Sequence, residues 1–211
     1  KEKGCSLTMY IAALYLYSLY ISEPDARGSK KPFILSIPVN LRKYFNSNTL
    51  RNFSLFIKVV LPLNGKTWDL DSIIEEIKPQ FSEQLNKEFL QRRINYYVAF
   101  EKNFAIRMLP LFIKNLAFKL IYFLQSNRIT TTYISNLGSV NLPSSMYNEV
   151  KDVDFVNAGE KLYMTMASIN NKLNIMFSSR IRDHSIIYNF LKLLQERDID
   201  IVLQTNHSGM E

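Results

Sequence analysis

From Met9 to Ile21 nearly every position is apolar, and the hydroxyl of Thr8, just before the run, can accept from the free amides of a first helical turn. The pattern predicts a buried helix over 9–21, packed on a sheet and ended by Pro24. The run is well short of the ~20 residues a membrane span needs, and it lacks the Ala-x-Ala pattern of a cleaved secretory leader. Ser22 to Lys31 is polar and holds Pro24 and Gly28, a surface loop. Phe33 to Asn40 and Phe53 to Leu61 are rich in β-branched and aromatic residues and predict two strands. Pro38 has no amide hydrogen for a ladder, so it predicts a strand end, bulge or edge where the chain leaves for the loop 40–52.

The apolar spacing then lengthens. Ile73, Ile77, Phe81 and Leu85 share one face of a helix from Asp71 to about Arg107, which Pro79 should kink or split. Trp68, the sole tryptophan, packs as a staple before it. Glu83 with Lys87 and Glu88 with Arg92 are favourable i,i+4 pairs. Pro110 suits the first position of a further helix reaching about Gln125. After Asn127 strands are predicted over 129–135, 150–156, 162–169 and 173–177. Asn170-Asn171 makes a tight turn between the last two, because Asn tolerates the left-handed backbone. Ile186, Ile187, Phe190, Leu191 and Leu194 mark the buried face of a helix over 184–196, and 199–203 reads as a closing strand. The sum is an α/β two-layer sandwich, a mixed β-sheet covered by helices on one face.

Composition narrows this only a little. The chain has 211 residues, 47% of them hydrophobic, which suits one large domain or two small subdomains. A net charge of +7 fits nucleic acid, an acidic carrier protein, a coenzyme phosphate or solubility alone. The basic residues come as pairs (Lys30-Lys31, Arg42-Lys43, Arg92-Arg93) without zinc-finger spacing, arginine-rich block or aromatic RNA-binding motif. Nucleic-acid binding therefore ranks last; it would show as steeply salt-dependent affinity. Cys5 is the only cysteine, so no disulfide framework forms and a reducing cytoplasm is expected. His184 and His207 are the only histidines; His207 sits in a polar tail, and no metal site is expected. A chain that starts at Lys1 reads as a piece of a longer polypeptide.

Three motifs carry the chemistry. Leu173 to His184 runs an alternating strand through Ser178-Ser179 to a turn with Asp183 and then a helix. Ile37-Pro38-Val39-Asn40-Leu41-Arg42 is followed by Thr49-Leu50-Arg51-Asn52-Phe53, and Ile134-Ser135-Asn136-Leu137-Gly138-Ser139-Val140 leads to Leu142-Pro143. Taken in chain order they resemble the C-terminal half of alcohol-acetyltransferase-like proteins of the chloramphenicol acetyltransferase and condensation-domain superfamily of coenzyme-A-dependent acyltransferases. The likeness covers nearly the whole chain. In that superfamily the strand-turn-helix of the active lobe reads H-H-x-x-x-D-G, with the second His as general base. Here Ser178 and Ser179 stand at the His positions, Asp183 remains and His184 replaces the Gly.

The resemblance implies that residues 1–211 form the C-terminal lobe of a two-lobed acyltransferase, with the H-H-x-x-x-D-G lobe absent from this chain. The implied reaction moves an acyl group from acetyl-coenzyme A, a co-substrate rather than a tightly bound cofactor, to an alcohol. A carrier-protein-dependent condensation lobe and a non-catalytic scaffold are the alternatives. Ser135 and Asn136 are the candidate oxyanion or tunnel-wall groups, with Gly138 letting the backbone turn beside them; a plain Asx turn at Asn136 explains the same residues at least as well. Asn40 and Arg42 either contact the acyl donor or hold a turn, the second being favoured. Asp183 is expected to pair with Arg180 or Arg182 or to cap the helix after it. His184 is a weak base candidate. A lobe without its partner should leave apolar surface uncovered and self-associate.

Overall fold

A computed structural model describes residues 4–146, 149–157, 159, 161–180 and 182–205; His207 lies outside them. The first helix, α1 (Leu7–Ser22), is capped by Ser6, whose Oγ accepts from Met9 N at 3.2 Å. Thr8 is not the cap. Its Oγ1 accepts from Asn136 Nδ2 at 2.8 Å, so a hydroxyl expected to start the helix instead ties it to a strand. Then come β1 (Phe33–Asn40) and β2 (Ser54–Leu61), followed by α2 (Leu70–Gln84), α3 (Lys87–Lys102), α4 (Phe104–Met108) and α5 (Leu111–Ile129). The rest is β3 (Thr132–Ser139), β4 (Tyr163–Ile169), β5 (Lys172–Ser178) and α6 (Ser185–Gln195).

The five strands form one mixed sheet in the order β2-β1-β3-β4-β5. The outer pairs β1/β2 and β4/β5 are antiparallel; β1/β3 and β3/β4 are parallel. Alternation puts Leu35, Ile37, Ile57, Val59, Ile134, Met164 and Met166 on one face, and all are buried. Against that face lies α1 with α2 and α6, which completes the core through Leu14, Tyr15, Ile73, Ile77 and Phe190. α1 is apolar all round because it is covered all round: sheet beneath, a helix on either side. The fold is thus α/β, a mixed sheet with helices packed on one face.

Threonines lock the start of β3. Thr130 Oγ1 and Ser36 Oγ are 2.7 Å apart, Thr131 Oγ1 accepts from Ile34 N at 3.0 Å, and Thr132 Oγ1 donates to Leu162 O at 2.6 Å. Tyr15 OH meets the same Thr132 oxygen at 2.7 Å. Burial pushes this phenol well above its ordinary range, the Thr132 bond opposing. One short polar run therefore fastens β1, β3, β4 and α1 without leaving a buried polar group unpaired.

The free edge of β2 is closed by side chains. Gln84 Oε1 accepts from Lys58 N at 2.9 Å while its Nε2 donates to Lys58 O at 2.6 Å. Gln80 does the same to Val60, at 2.8 Å in both directions, and Arg93 Nη1 donates to Phe56 O at 2.6 Å. Residues 56, 58 and 60 are the alternate positions whose backbone faces outward, so α2 and α3 occupy the groups another chain would pair with.

Several expectations change. The long helix breaks at Leu85–Asn86 rather than Pro79: Asn86 Oδ1 accepts from Glu88 N at 2.8 Å and starts α3, and Pro79 stays inside α2. Glu83 and Lys87 consequently fall on either side of a break. Trp68 precedes the Asp69/Ser72 capping box of α2 and donates from Nε1 to Pro62 O at 2.8 Å. Pro38 stays paired with Phe56 of β2, but β1 leaves β3 after Ser36. Residues 150–156 form no strand; Asn170 Nδ2 and Asn174 Nδ2 donate to Val150 O and Val153 O at 3.2 and 3.0 Å, and Thr165 Oγ1 to Phe155 O, holding the segment across the sheet face away from α1. Nor do residues 199–203 pair. The Asn170-Asn171 turn is left-handed at both residues, φ 49° and 62°, as a two-residue hairpin requires.

Candidate functional site

The parallel strands β1, β3 and β4 point their carboxyl ends the same way, the end where open α/β sheets take ligands. β1 and β3 pair only through Leu35–Ser36 and Thr132–Tyr133. The ends carrying Asn40 and Ser135 are therefore unpaired with each other, and between them the sheet opens. Ser135 and Asn136 stand opposite Thr165 and Met166 of β4, then the register shifts and Gly138 faces Ala167. The extra residue of this bulge, Leu137, is pushed out to 55% exposure.

Asn136 makes the bulge. Its Oδ1 accepts from Gly138 N at 2.7 Å, an Asx turn, and its Nδ2 donates to Thr8 Oγ1. Gly138 has φ +85°, a backbone that glycine alone adopts without strain. Ser135 is half-buried, and its hydroxyl makes no hydrogen bond among the described residues. Of the two candidate oxyanion groups, Ser135 thus has a donor to spare, while Asn136 is engaged at both ends of its amide.

Asn40 and Arg42 lie at the same end of the sheet. Asn40 Oδ1 accepts from Arg42 N at 3.0 Å and opens a short 3-10 turn. Arg42 Nη2 donates to Thr49 O and Arg51 O, both at 2.7 Å, so the guanidinium folds the loop 44–53 back on itself. The Thr49-Leu50-Arg51 motif is here the acceptor of that arginine.

The strand-turn-helix motif lies elsewhere. Ser178 pairs with Tyr163, which pairs with Tyr133, so it sits towards the amino ends of β3 and β4, away from the bulge. Ser178 is half-buried, and Ser179, Asp183 and His184 are exposed. Asp183 Oδ1 accepts from Ser185 N at 2.8 Å and Oδ2 from Ser185 Oγ at 3.0 Å. These bonds, with a smaller contribution from His184, hold the carboxyl below its ordinary value. Asp183 therefore holds the first residue of α6 from the position before its N-cap, His184, rather than being the cap itself. The motif and the bulge do not form one site within this chain.

Two features were not foreseen. Lys161 Nζ donates to Thr130 O beneath the threonine run, and burial lowers its ammonium below the ordinary lysine value; the run Thr130-Thr131-Thr132 was the legible signal of that junction. Along α3 lies an open groove of about 430 Å³ lined by Glu83, Phe89, Arg92, Arg93, Tyr96 and Tyr97. Arg93 stands over Phe89 at 6.0 Å and Tyr97 at 5.9 Å. None of the candidate residues lines it.

No protein-family profile matches the sequence, and no curated protein does. Among solved structures the chain is similar to the starter condensation domain of rhizomide synthetase RzmA, with 11% identity and TM-score 0.45 over 91% of this chain and 42% of that one. It is also similar to a doubly substituted variant of that domain, with 13% identity and TM-score 0.48 over 92% and 42%. A third likeness is to a condensation domain that mediates chain release from the enacyloxin polyketide synthase, with 12% identity and TM-score 0.49 over 97% and 39%. The chain spans about two fifths of the length of these solved chains.

Proposed function

We propose that this chain is the C-terminal lobe of an acyltransferase that moves an acetyl group from acetyl-coenzyme A to an alcohol, and that the general base lies on a preceding lobe of the same polypeptide. The observation that carries the reading is the opening at the carboxyl ends of β1 and β3, where Ser135, beside an Asx-turn bulge, has a hydroxyl without a hydrogen bond among the described residues. In the proposed reaction the alcohol oxygen attacks the thioester carbonyl as a histidine of the other lobe takes its proton. The C–S bond then breaks, and the histidine returns that proton to the leaving sulfur, so coenzyme A departs as the thiol. Ser135 donates to the carbonyl oxygen as charge develops on it, and Asn136 and Gly138 position that serine. No acyl-enzyme forms, and no nucleophile is needed from this lobe. Serines at 178 and 179, where the active lobe's histidines would stand, accord with a lobe that shapes the site without supplying the base.

Release of free coenzyme A from acetyl-coenzyme A, measured with a panel of alcohols on the longer polypeptide and on this chain side by side, tests the reading. Activity is expected only from the longer polypeptide; activity in this chain alone would move the base to His184 and overturn it. Ser135→Ala in the longer polypeptide is expected to lower kcat about 10-fold to 100-fold with little change in KM. An unchanged kcat in a folded variant would remove Ser135 from the chemistry. A carrier-borne thioester is the second reading, favoured by the cationic, aromatic groove along α3, where Arg92 and Arg93 could meet an acidic carrier. Turnover with an acyl carrier protein but not with the coenzyme would select it.

A further inference from the structure

We propose that α4 and α5 seat this chain on an anionic lipid surface, lying in the interface without crossing it; this is independent of the acyltransferase reading. The first observation is exposure. Phe104, Met108, Phe112, Leu116, Leu120 and Phe123 are 76, 67, 73, 69, 56 and 78% exposed, in two helices separated only by Leu109-Pro110. Phe112, Leu116, Leu120 and Phe123 recur at helical spacing along one side of α5. Leu111, Phe118 and Tyr122 of α5 are exposed as well, at 71, 52 and 66%; this much exposed apolar surface on one segment is rare on a soluble monomer and marks a contact.

Charge selects the partner. No Asp or Glu occurs between Glu101 and Glu149, whereas Arg107, Lys114, Lys119 and Arg128 all fall there. A segment that carries cations beside exposed apolar residues and has no carboxylate is complementary to anionic headgroups. Lys119 lies two turns after Phe112 on the apolar side of α5. In the core of a protein interface that ammonium would need a partner, because charged residues are depleted there. On a bilayer it reaches up to the phosphates while its stem stays among the chains. Among the described residues no helix is long and apolar enough to cross a membrane, so the pair rests in the interface.

Co-sedimentation with vesicles of phosphatidylcholine alone, and of phosphatidylcholine mixed with phosphatidylserine, tests the proposal. The chain is expected to bind the mixed vesicles at least about tenfold more tightly than the neutral ones, and less as salt rises. Lys114→Glu with Lys119→Glu is expected to remove about tenfold or more of the affinity for mixed vesicles. Leu116→Ser with Leu120→Ser is expected to weaken binding to both compositions. Circular dichroism and thermal melting establish that each variant is folded. The proposal is overturned if neither vesicle sediments the chain, if the charge-reversed pair binds mixed vesicles as tightly as the parent, or if the chain instead forms a closed dimer that shields α5 and ignores lipid.

Discussion

Gly138 has φ +85° and no atom within 4 Å of where a Cβ would stand, so Gly138→Ala strains the backbone and nothing else, an expected loss of about 1–2 kcal/mol in urea melts. Gly159 is held by the opposite constraint. A Cβ there would meet the Tyr163 ring at 2.4 Å, so Gly159→Ala must displace an aromatic stacked on Tyr133 with centroids 4.6 Å apart; about 1–3 kcal/mol of destabilisation is expected. Tyr15 contributes to the alkaline limb. Its phenol is raised above the ordinary 10.0, so the stability it contributes is fully present below pH 10 and lost as pH rises beyond it. Tyr15→Phe should cost about 1 kcal/mol at neutral pH, for the bond to Thr132, and flatten the alkaline decline in melts run across pH. Asp183 acts at the other limb. Its carboxyl is depressed below the ordinary 3.8, so its benefit to α6 is full above that value and disappears as pH falls through the folded-state value. Parent and Asp183→Ala melting curves should therefore converge in acid.

At the scale of elements, the edge of β2 gives the sharpest expectation. Gln80→Ala with Gln84→Ala frees the amides and carbonyls of Lys58 and Val60, at about 1 kcal/mol per lost pair of bonds, and should raise aggregation by exposing a strand edge. Right-angle light scattering during a thermal ramp would show it. The strands that formed were legible because two signals agreed: Leu35, Ile37, Ile57 and Val59 alternate in β-branched and apolar runs, and each run faces α1. Residues 150–156 had the composition, but the side chains of Thr165, Asn170 and Asn174 hold the segment's carbonyls across the sheet face, so it joins no ladder. Propensity indicates that a backbone is willing to extend, not that an edge is available. The α2/α3 boundary was misread for a related reason. Pro79 removes one hydrogen bond and still lies within α2, whereas the side chain of Asn86 accepts from Glu88 N and begins a new helix.

At the scale of the molecule, the sheet with one helical layer was readable because α1 could only be buried, whereas the separation of the two motifs was not. Ser178-Ser179 and Ser135-Asn136 each end a strand in the sequence, but which ends adjoin depends on β5 running antiparallel to β4, a fact of topology that no local pattern carries. The engagement of Asn136 with Thr8 was equally hidden, being a contact across 128 positions. The same scale sets how the isolated chain behaves in solution without lipid. Leu116, Leu120 and Phe123 are then left facing water, and burying a leucine side chain contributes about 1.5–3 kcal/mol, so contact between copies is favoured as concentration rises. Sedimentation velocity is expected to show the average coefficient climbing with concentration. Leu116→Ser with Leu120→Ser should weaken that association at least about tenfold, since a tenfold change needs only about 1.4 kcal/mol. Anionic vesicles should draw the parent chain out of these assemblies, because both contacts use one face of α5 and a helix cannot give it to two partners at once. A chain that stays monomeric at high concentration would mean that this face is hidden in solution, and α5 would then have to pack against the rest of the lobe.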